Sequence, residues 1–168
     1  MDEPFAQDIG TGRGTDRFLA IAAYAETVAA YRCVVLSEKS PSAADRRRFA
    51  GLTDEEQEHK QRLQRALADR FPGANYVLTA DDKALVISGP RLLNVHAAVS
   101  FIDVMEMMLE TGRKTANFYA RCGPLISDGT LRALFHRLAE ESAEHYQRLQ
   151  NLAAEAGVAV ASRVNAHP

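Results

Sequence analysis

The stretch EEQEHKQRLQ at residues 55–64 decides how this sequence is interpreted, because it returns as ESAEHYQRLQ at residues 141–150. The two histidines, His59 and His145, are 86 positions apart (145 minus 59). The same separation relates four further pairs: Phe49 and Phe135, Leu52 and Leu138, Glu55 and Glu141, and Glu58 and Glu144. Self-similarity at a fixed offset indicates a structure made of two related halves.

Around these repeats the sequence is rich in helix-forming residues and is interrupted at a few points by Pro and Gly. We predict helices over about residues 15–37, 43–70, 99–122 and 129–156. Gly157 is expected to end the last helix in the left-handed conformation. Residues 1–14 are predicted to be a flexible arm and residues 158–168 a tail. The mixed segment 71–98 is predicted to be a crossover, in which VLTAD and ALVIS resemble short strands that pair locally.

The predicted order is two helical hairpins joined by one long connection. Simple up-down bundles use short loops throughout, whereas ferritin-like bundles have one long crossover. The sequence therefore predicts an all-α protein, a four-helix bundle of the ferritin-like type over residues 15–157. A chain of 168 residues fits one such domain.

Composition and charge exclude several other classes of protein. The net charge is -2, so no strong nucleic-acid-binding field is expected, and the basic run Arg46–Arg48 is interpreted as a solvated helix start. Glu26 and Arg32 interrupt the apolar stretch from Phe18 to Leu36, which argues against a membrane span. The N-terminus lacks the order of a secretory signal, and we expect a cytoplasmic protein. Two distant cysteines, interpreted as buried small hydrophobes, form no CxxC motif.

Four polar residues occupy positions where the helical period places the bundle interior: Glu26, Glu56, His59 and His145. A buried charge without a partner destabilises a fold by several kcal/mol, so these groups need compensation. A metal ion provides it. Carboxylate and imidazole ligands suit iron, manganese or zinc, and the spacing of three between Glu56 and His59 directs both side chains to one face.

With these residues the sequence resembles the rubrerythrin-type branch of the ferritin-like family. The resemblance covers most of residues 15–155 and includes Glu26-Thr27, echoed by Glu110-Thr111. It implies a site for two iron ions, with one Glu from each of helices 1 and 3 and a Glu with a His from each of helices 2 and 4. The ligands that it implies here are Glu26, Glu56, His59, Glu110 and His145. The implied activity is reduction of peroxide or dioxygen.

The sequence departs from this family at Ser142, where the pattern requires a second bridging Glu. Three carboxylates would leave two divalent ions with a net charge of about +1, which favours weaker binding of one ion. Glu106 and Glu141 are additional candidates for the missing ligand. Because the family's rubredoxin module needs CxxC pairs, any redox reaction requires an external electron donor.

Each candidate also has a structural interpretation. Glu56 and His59 could form a buried ion pair in a metal-free bundle, and His145 could be a core histidine bonded to Ser142 or to a tyrosine. Glu110 could lie on a helix face that meets water. The alternative function is iron binding or trafficking without catalysis, or a bundle with a degenerate site. Ordinary surface or loop positions are expected for the remaining histidines, His96, His136 and His167.

A homodimer is also expected, because helix 1 carries apolar residues outside the interior stripe. These residues are Ile21, Val28 and Val35. Exposed apolar faces of this kind are buried by association with a second copy.

Overall fold

The computed structural model describes residues 14–91 and 98–158. The predicted arm and tail lie almost wholly outside these residues, as do His96 and His167. The long helices are α1 (Thr15–Lys39), α2 (Ala43–Arg70), α4 (Phe101–Cys122) and α5 (Gly129–Glu155). A short helix, α3 (Ala80–Ala84), lies in the crossover, and a 3₁₀ turn, Gly123–Leu125, joins α4 to α5. The chain is thus an all-α bundle in its described part.

Local signals in the sequence set the helix ends. The Ser42 side chain accepts a hydrogen bond from the Asp45 amide and caps α2, and Asp128 caps α5 through the amides of residues 130 and 131. After α5, Gly157 adopts φ 74° and the Val158 amide donates to the Ala153 carbonyl at 2.9 Å. This Schellman-type ending needs the left-handed conformation that Gly allows. No predicted helix end differs from the observed one by more than two residues.

Contacts between side chains give the directions of the helices. Phe18 packs on Phe118 near the start of α1, whereas Arg32, farther along α1, contacts Thr111. Helices α1 and α4 are therefore antiparallel. Ion pairs from Arg48 to Glu155 and from Arg70 to Asp128 show the same for α2 and α5. Since each hairpin is also antiparallel, the order is up, down, down, up, which requires the long crossover.

The crossover differs from the prediction in its local structure. The described residues contain no strand; instead the segments expected to pair contain α3. Thr79 and Asp82 form a reciprocal capping box, in which each side chain accepts from the other's amide. This cap stabilises one helical turn where the apolar alternation suggested a strand.

A buried arginine ties the crossover to the bundle. Arg32 is fully buried, and its guanidinium donates to Thr111 Oγ1 at 2.9 Å and to the carbonyls of Ser88 and Pro90 at 2.6 and 2.9 Å. Burial lowers its pKa to about 10. Between these carbonyls, Gly89 has φ 77°, and a Cβ there would lie 2.5 Å from Met107 Sδ. The crossover therefore needs Gly at this position.

Helix α1 is the core helix of the bundle. Ile21, Val28 and Val35 are at most 2% exposed and pack inside the chain, so the apolar face from which a homodimer was expected is not available for association. Contrary to the expectation from sequence, Thr15–Lys39 is long and apolar enough to cross a membrane, with a mean hydropathy of 1.5. However, 72% of that window is buried within the protein, as in the core helix of a soluble protein.

Candidate metal centre

Three helices bring four of the predicted ligands together in the bundle interior. Glu26 on α1, Glu56 and His59 on α2 and His145 on α5 are 1%, 6%, 2% and 5% exposed. The i, i+3 spacing places Glu56 and His59 on one face of α2. The antiparallel packing of α2 and α5 brings His145 opposite that face. These residues therefore form one buried cluster of carboxylates and imidazoles.

Glu56 lies between the two histidines. Its Oε1 is 3.1 Å from His145 Nδ1, and its Oε2 is 3.2 Å from His59 Nδ1. Glu26 Oε2 is 3.6 Å from the same His59 nitrogen. The two imidazole rings are stacked, with centroids 5.0 Å apart and planes inclined by 15°. Both histidines thus direct Nδ1 toward the shared carboxylate.

The outer nitrogens of the histidines are held by carboxylates from the opposite half of the chain. His59 Nε2 lies 2.9 Å from Glu141 Oε2, and His145 Nε2 lies 2.5 Å from Glu55 Oε2. A proton on each Nε2 satisfies these contacts and leaves the inward-facing Nδ1 as the nitrogen that could bind a metal ion. Metal-binding histidines commonly donate their second ring N–H to a carboxylate in this way.

An arginine fixes each outer carboxylate. Arg62 Nη2 donates to Glu141 Oε2 at 2.6 Å, and Arg148 Nη1 donates to Glu55 Oε1 at 2.9 Å. Both arginines follow their own histidine by three positions and lie on the same helix. The 86-residue repeat therefore produces two matching contact series of arginine, glutamate and histidine. In each, the arginine and the histidine come from one of the helices α2 and α5, and the glutamate comes from the other.

The electrostatics of the cluster show how protons are distributed in the metal-free protein. Burial and the charge of Glu56 raise the pKa of Glu26 to about 8. Burial would also raise the pKa of Glu56, but its close contacts with the two histidines outweigh burial and lower that pKa. For His59, neighbouring carboxylates outweigh burial and raise the pKa to about 10. Metal binding must therefore displace protons from the cluster.

Tyr119 on α4 is a buried partner of Glu26. Its hydroxyl donates to Glu26 Oε1 at 2.5 Å, and burial beside this carboxyl raises the tyrosine pKa. The bond fixes one oxygen of Glu26 and leaves Oε2 facing His59. The tyrosine therefore orients a candidate ligand.

The donor set fits a metal ion. Ligand atoms of Glu56, His59 and His145 all lie within 4.8 Å of one another. Donors about 2.0–2.2 Å from a common ion are at most about 4.4 Å apart, so these side chains would have to move slightly closer together to bind one ion. His59 Nδ1 is buried and has no hydrogen-bond partner. An orphaned buried nitrogen beside two carboxylates is the arrangement that a cation would satisfy.

The side of the centre that α4 and α5 form is lined by small and neutral residues. A cavity of about 20 Å³ lies beside Glu26, Glu56 and His145. Its wall includes Thr111, Gly112, Thr115 and Ser142. Ser142 is 7% exposed and occupies the repeat position of Glu56, as the sequence predicts.

The structure does not bring Glu110 or Glu106 into the cluster. Glu110 is partly exposed and pairs with Arg113 on its own helix at 2.6 Å, and Glu106 is exposed. Glu110 thus lies one position from the buried face, which carries Thr111. Glu141 reaches the centre from its outer side, through His59 Nε2. His136 is exposed, as expected, and lies 3.6 Å from Glu140.

Sequence reasoning missed Glu55 as a partner of His145 and did not single out Tyr119. A usable signal existed for Glu55, since it is the repeat partner of Glu141, which was considered. From sequence, Tyr119 is one of four tyrosines expected chiefly to pack, with the alternative that a tyrosine near the metal bonds a ligand. His145 bonds to Glu55 and Glu56 rather than to Ser142 or a tyrosine.

Comparisons with known proteins bear on the fold alone. No family model and no curated protein matches the chain. Among solved structures, a hypothetical protein from Pyrococcus furiosus, Pfu-1136390-001, is similar with a TM-score of 0.66 and 22% identity. The match covers 82% of this chain and 86% of that one. The helical architecture therefore recurs in a second protein.

Proposed function

We propose that this protein is a ferritin-like bundle that binds iron through Glu26, Glu56, His59 and His145 and acts as a rubrerythrin-like oxidoreductase. The observation that carries the proposal is the orientation of the two histidines. Both direct Nδ1 toward Glu56, while both Nε2 atoms are held by carboxylates on the outside. A simple buried ion pair requires no such arrangement on both rings, whereas metal ligation does.

Bound iron would supply one-electron chemistry toward peroxide or dioxygen. The chain's own residues hold and orient the ion: Glu56 contacts both histidines, and Tyr119 fixes Glu26. The apolar side chains of α1 and α4 exclude bulk water from the cluster. An external electron donor belongs to the proposal, because the sequence has no CxxC pair for a second iron centre. The carboxylate and imidazole donors also suit manganese and zinc, so the identity of the metal needs measurement. A cytoplasmic location is part of the same proposal.

The proposal is tested on protein expressed without an affinity tag and analysed for bound metals. We expect a transition metal in the wild type and none in Glu56→Ala/His59→Ala, with helix content unchanged by circular dichroism. The apolar stripes of the helices build the bundle without these two side chains. Full metal content in the double variant would refute the site.

A matched control is His136→Ala/Glu140→Ala. It also removes one histidine and one glutamate that lie close to each other, but both are exposed on α5. Metal content should remain that of the wild type. Loss of metal in this control would show that the effect of the first double variant is not specific to the buried cluster.

Turnover separates catalysis from binding. The iron-loaded protein is mixed with hydrogen peroxide and a chemical reductant, and oxidation of the reductant is followed. Oxidation of the reductant by the wild type that is lost in Glu56→Ala/His59→Ala would support the oxidoreductase function. Bound iron without turnover would favour sequestration or trafficking, the binding function that the same ligands allow.

A further inference from the structure

The two halves of the centre differ in the number of carboxylates that they place in the interior. The 86-residue offset that relates His59 to His145 also relates Glu56 to Ser142. Applied to Glu26, it gives Gly112, two positions after the Glu110 that the family resemblance matched to Glu26. The structure confirms that Ser142 and Gly112 line one cavity beside the cluster. The half built by α1 and α2 therefore supplies two inner carboxylates, and the half built by α4 and α5 supplies none.

Charge limits how many ions this arrangement can hold. Glu110 pairs with Arg113 at the surface, so the inner carboxylates are Glu26 and Glu56. Together they balance one divalent cation. A second divalent ion would add two uncompensated positive charges in the bundle interior, which is unfavourable by several kcal/mol.

The donor atoms of three residues also lie close together. Glu56, His59 and His145 form a set of two histidines and one carboxylate whose donor atoms lie within 4.8 Å of one another. Such sets bind single non-haem metal ions and leave coordination positions open. His59 Nδ1, nearly fully buried and without a hydrogen-bond partner, marks the same position.

The cavity fits a ligand of that ion. Its volume of about 20 Å³ is above the roughly 10–15 Å³ that one water molecule needs. Thr111 Oγ1 accepts bonds from Arg32 and from the Ser88 amide, at 2.9 and 3.3 Å, so its own proton remains available as a donor. Ser142 adds a second hydroxyl to the wall.

We propose that the centre binds one metal ion per chain, and that the cavity beside Ser142 receives one small exogenous ligand of that ion, of the size of water or dioxygen. This inference rests on the proposed metal binding and departs from the pair of ions that the family resemblance implies. Ser142 and Gly112 are then not losses from a damaged site, because they create the space for the ligand.

Stoichiometry tests the first part. Purified apo-protein is titrated with Mn²⁺ or Co²⁺ by calorimetry, and the Mn²⁺ form is examined by electron paramagnetic resonance. We expect one ion per chain and the six-line spectrum of an isolated Mn²⁺. Two ions with a spin-coupled spectrum would overturn this inference and leave the proposed function standing. No binding of any ion would overturn both.

Azide, a small anion that binds open coordination positions on metal ions, tests the second part. It should shift the visible spectrum of the Co²⁺ form of the wild type. Ser142→Val fills the cavity, so the ion count should remain one while the azide shift is lost. Ala143→Val is the matched control, since it adds the same side chain at the next, exposed position and should keep the shift. Absence of an azide shift in the wild type, or its persistence in Ser142→Val, would overturn the cavity assignment.

Restoring the missing carboxylate gives the converse test. Ser142→Glu places a second glutamate three residues before His145, as Glu56 precedes His59. We expect stoichiometry to rise toward two ions per chain. The contrary result is one ion per chain in both the wild type and Ser142→Glu, with a lower melting temperature in the variant. It would show that the α5 side cannot accept an ion, and it would overturn our account that Ser142 limits the number of ions.

Discussion

The α1/α2 half of the centre and the α4/α5 half share their outer parts and differ in their inner parts. In both, a histidine is held by a glutamate and an arginine: His59 with Glu141 and Arg62, and His145 with Glu55 and Arg148. Only the first half, within the described residues, contributes carboxylates to the interior. The orientation of the histidines and the number of inner carboxylates are therefore separate properties of the repeat.

The shared outer parts argue that both histidines are used. A histidine without a role in binding would not need a paired carboxylate and arginine at its outer nitrogen. In the proposed centre, the divergent inner parts would determine how many ions the histidines share. Comparing variants at equivalent positions of the two halves therefore separates the two properties.

The largest expected difference is between Glu56→Ala and Ser142→Ala, which occupy equivalent positions. Glu56 contacts both histidines, so its removal should lower metal affinity by more than about 100-fold, beyond the 10–100-fold typical of outer partners. Ser142→Ala removes no ligand and should change affinity less than about threefold, well below 1 kcal/mol. Calorimetric titration with Co²⁺ measures both. Equal losses of affinity in the two variants would contradict the proposed difference between the two halves.

The outer carboxylates should give intermediate and similar effects. Glu141→Gln and Glu55→Gln keep the shape of the side chain but weaken the acceptor for each histidine. We expect each to lower Co²⁺ affinity by about tenfold, the lower end for outer partners. Glu140→Gln, exposed on α5, is the control and should have no effect. A loss confined to Glu141→Gln would mean that His145 does not bind the ion.

A smaller effect is expected for Tyr119→Phe. This change removes the hydroxyl bond to Glu26 while the ring keeps its packing against Phe118 and Phe135. The carboxylate loses its fixed orientation, and Co²⁺ affinity should fall by about two- to fivefold, less than 1 kcal/mol. The free energy of unfolding of the apo-protein should fall by about 1–3 kcal/mol, because a buried acceptor loses its donor.

Urea unfolding of the apo-protein and Co²⁺ titration measure these two quantities for Tyr119→Phe. Tyr146→Phe is the control, since Tyr146 is partly exposed beside the other half of the centre. A larger loss of affinity in the control than in Tyr119→Phe would contradict the role of Tyr119.

Much of the fold could be predicted from local features of the sequence. Helix-forming segments, the turn at Pro72-Gly73 and the stop at Gly157 determine where helices begin and end, because these signals act over a few residues. The crossover was harder: the alternation in VLTAD resembles a strand, but the capping box of Thr79 and Asp82 favours a helical turn. Which of two competing local signals prevails depends on what the segment packs against.

The sequence alone was also sufficient to predict that four polar residues are buried, because Glu26, Glu56, His59 and His145 interrupt apolar helical stripes that a bundle must bury. Other features of the cluster depend on how the helices pack. The rotation of α4 about its axis places Thr111 inward and Glu110 outward. From sequence alone, helical periodicity does not show whether the face with Asp103, Glu106 and Glu110 meets the interior or water.

The packing of α2 against α5 likewise places Glu55 and Glu141 beside the outer Nε2 atoms of the two histidines. These two carboxylates orient the rings and leave Ser142 beside a cavity. Contacts between residues about 90 positions apart depend on how two helices meet, and no local signal in either helix specifies that.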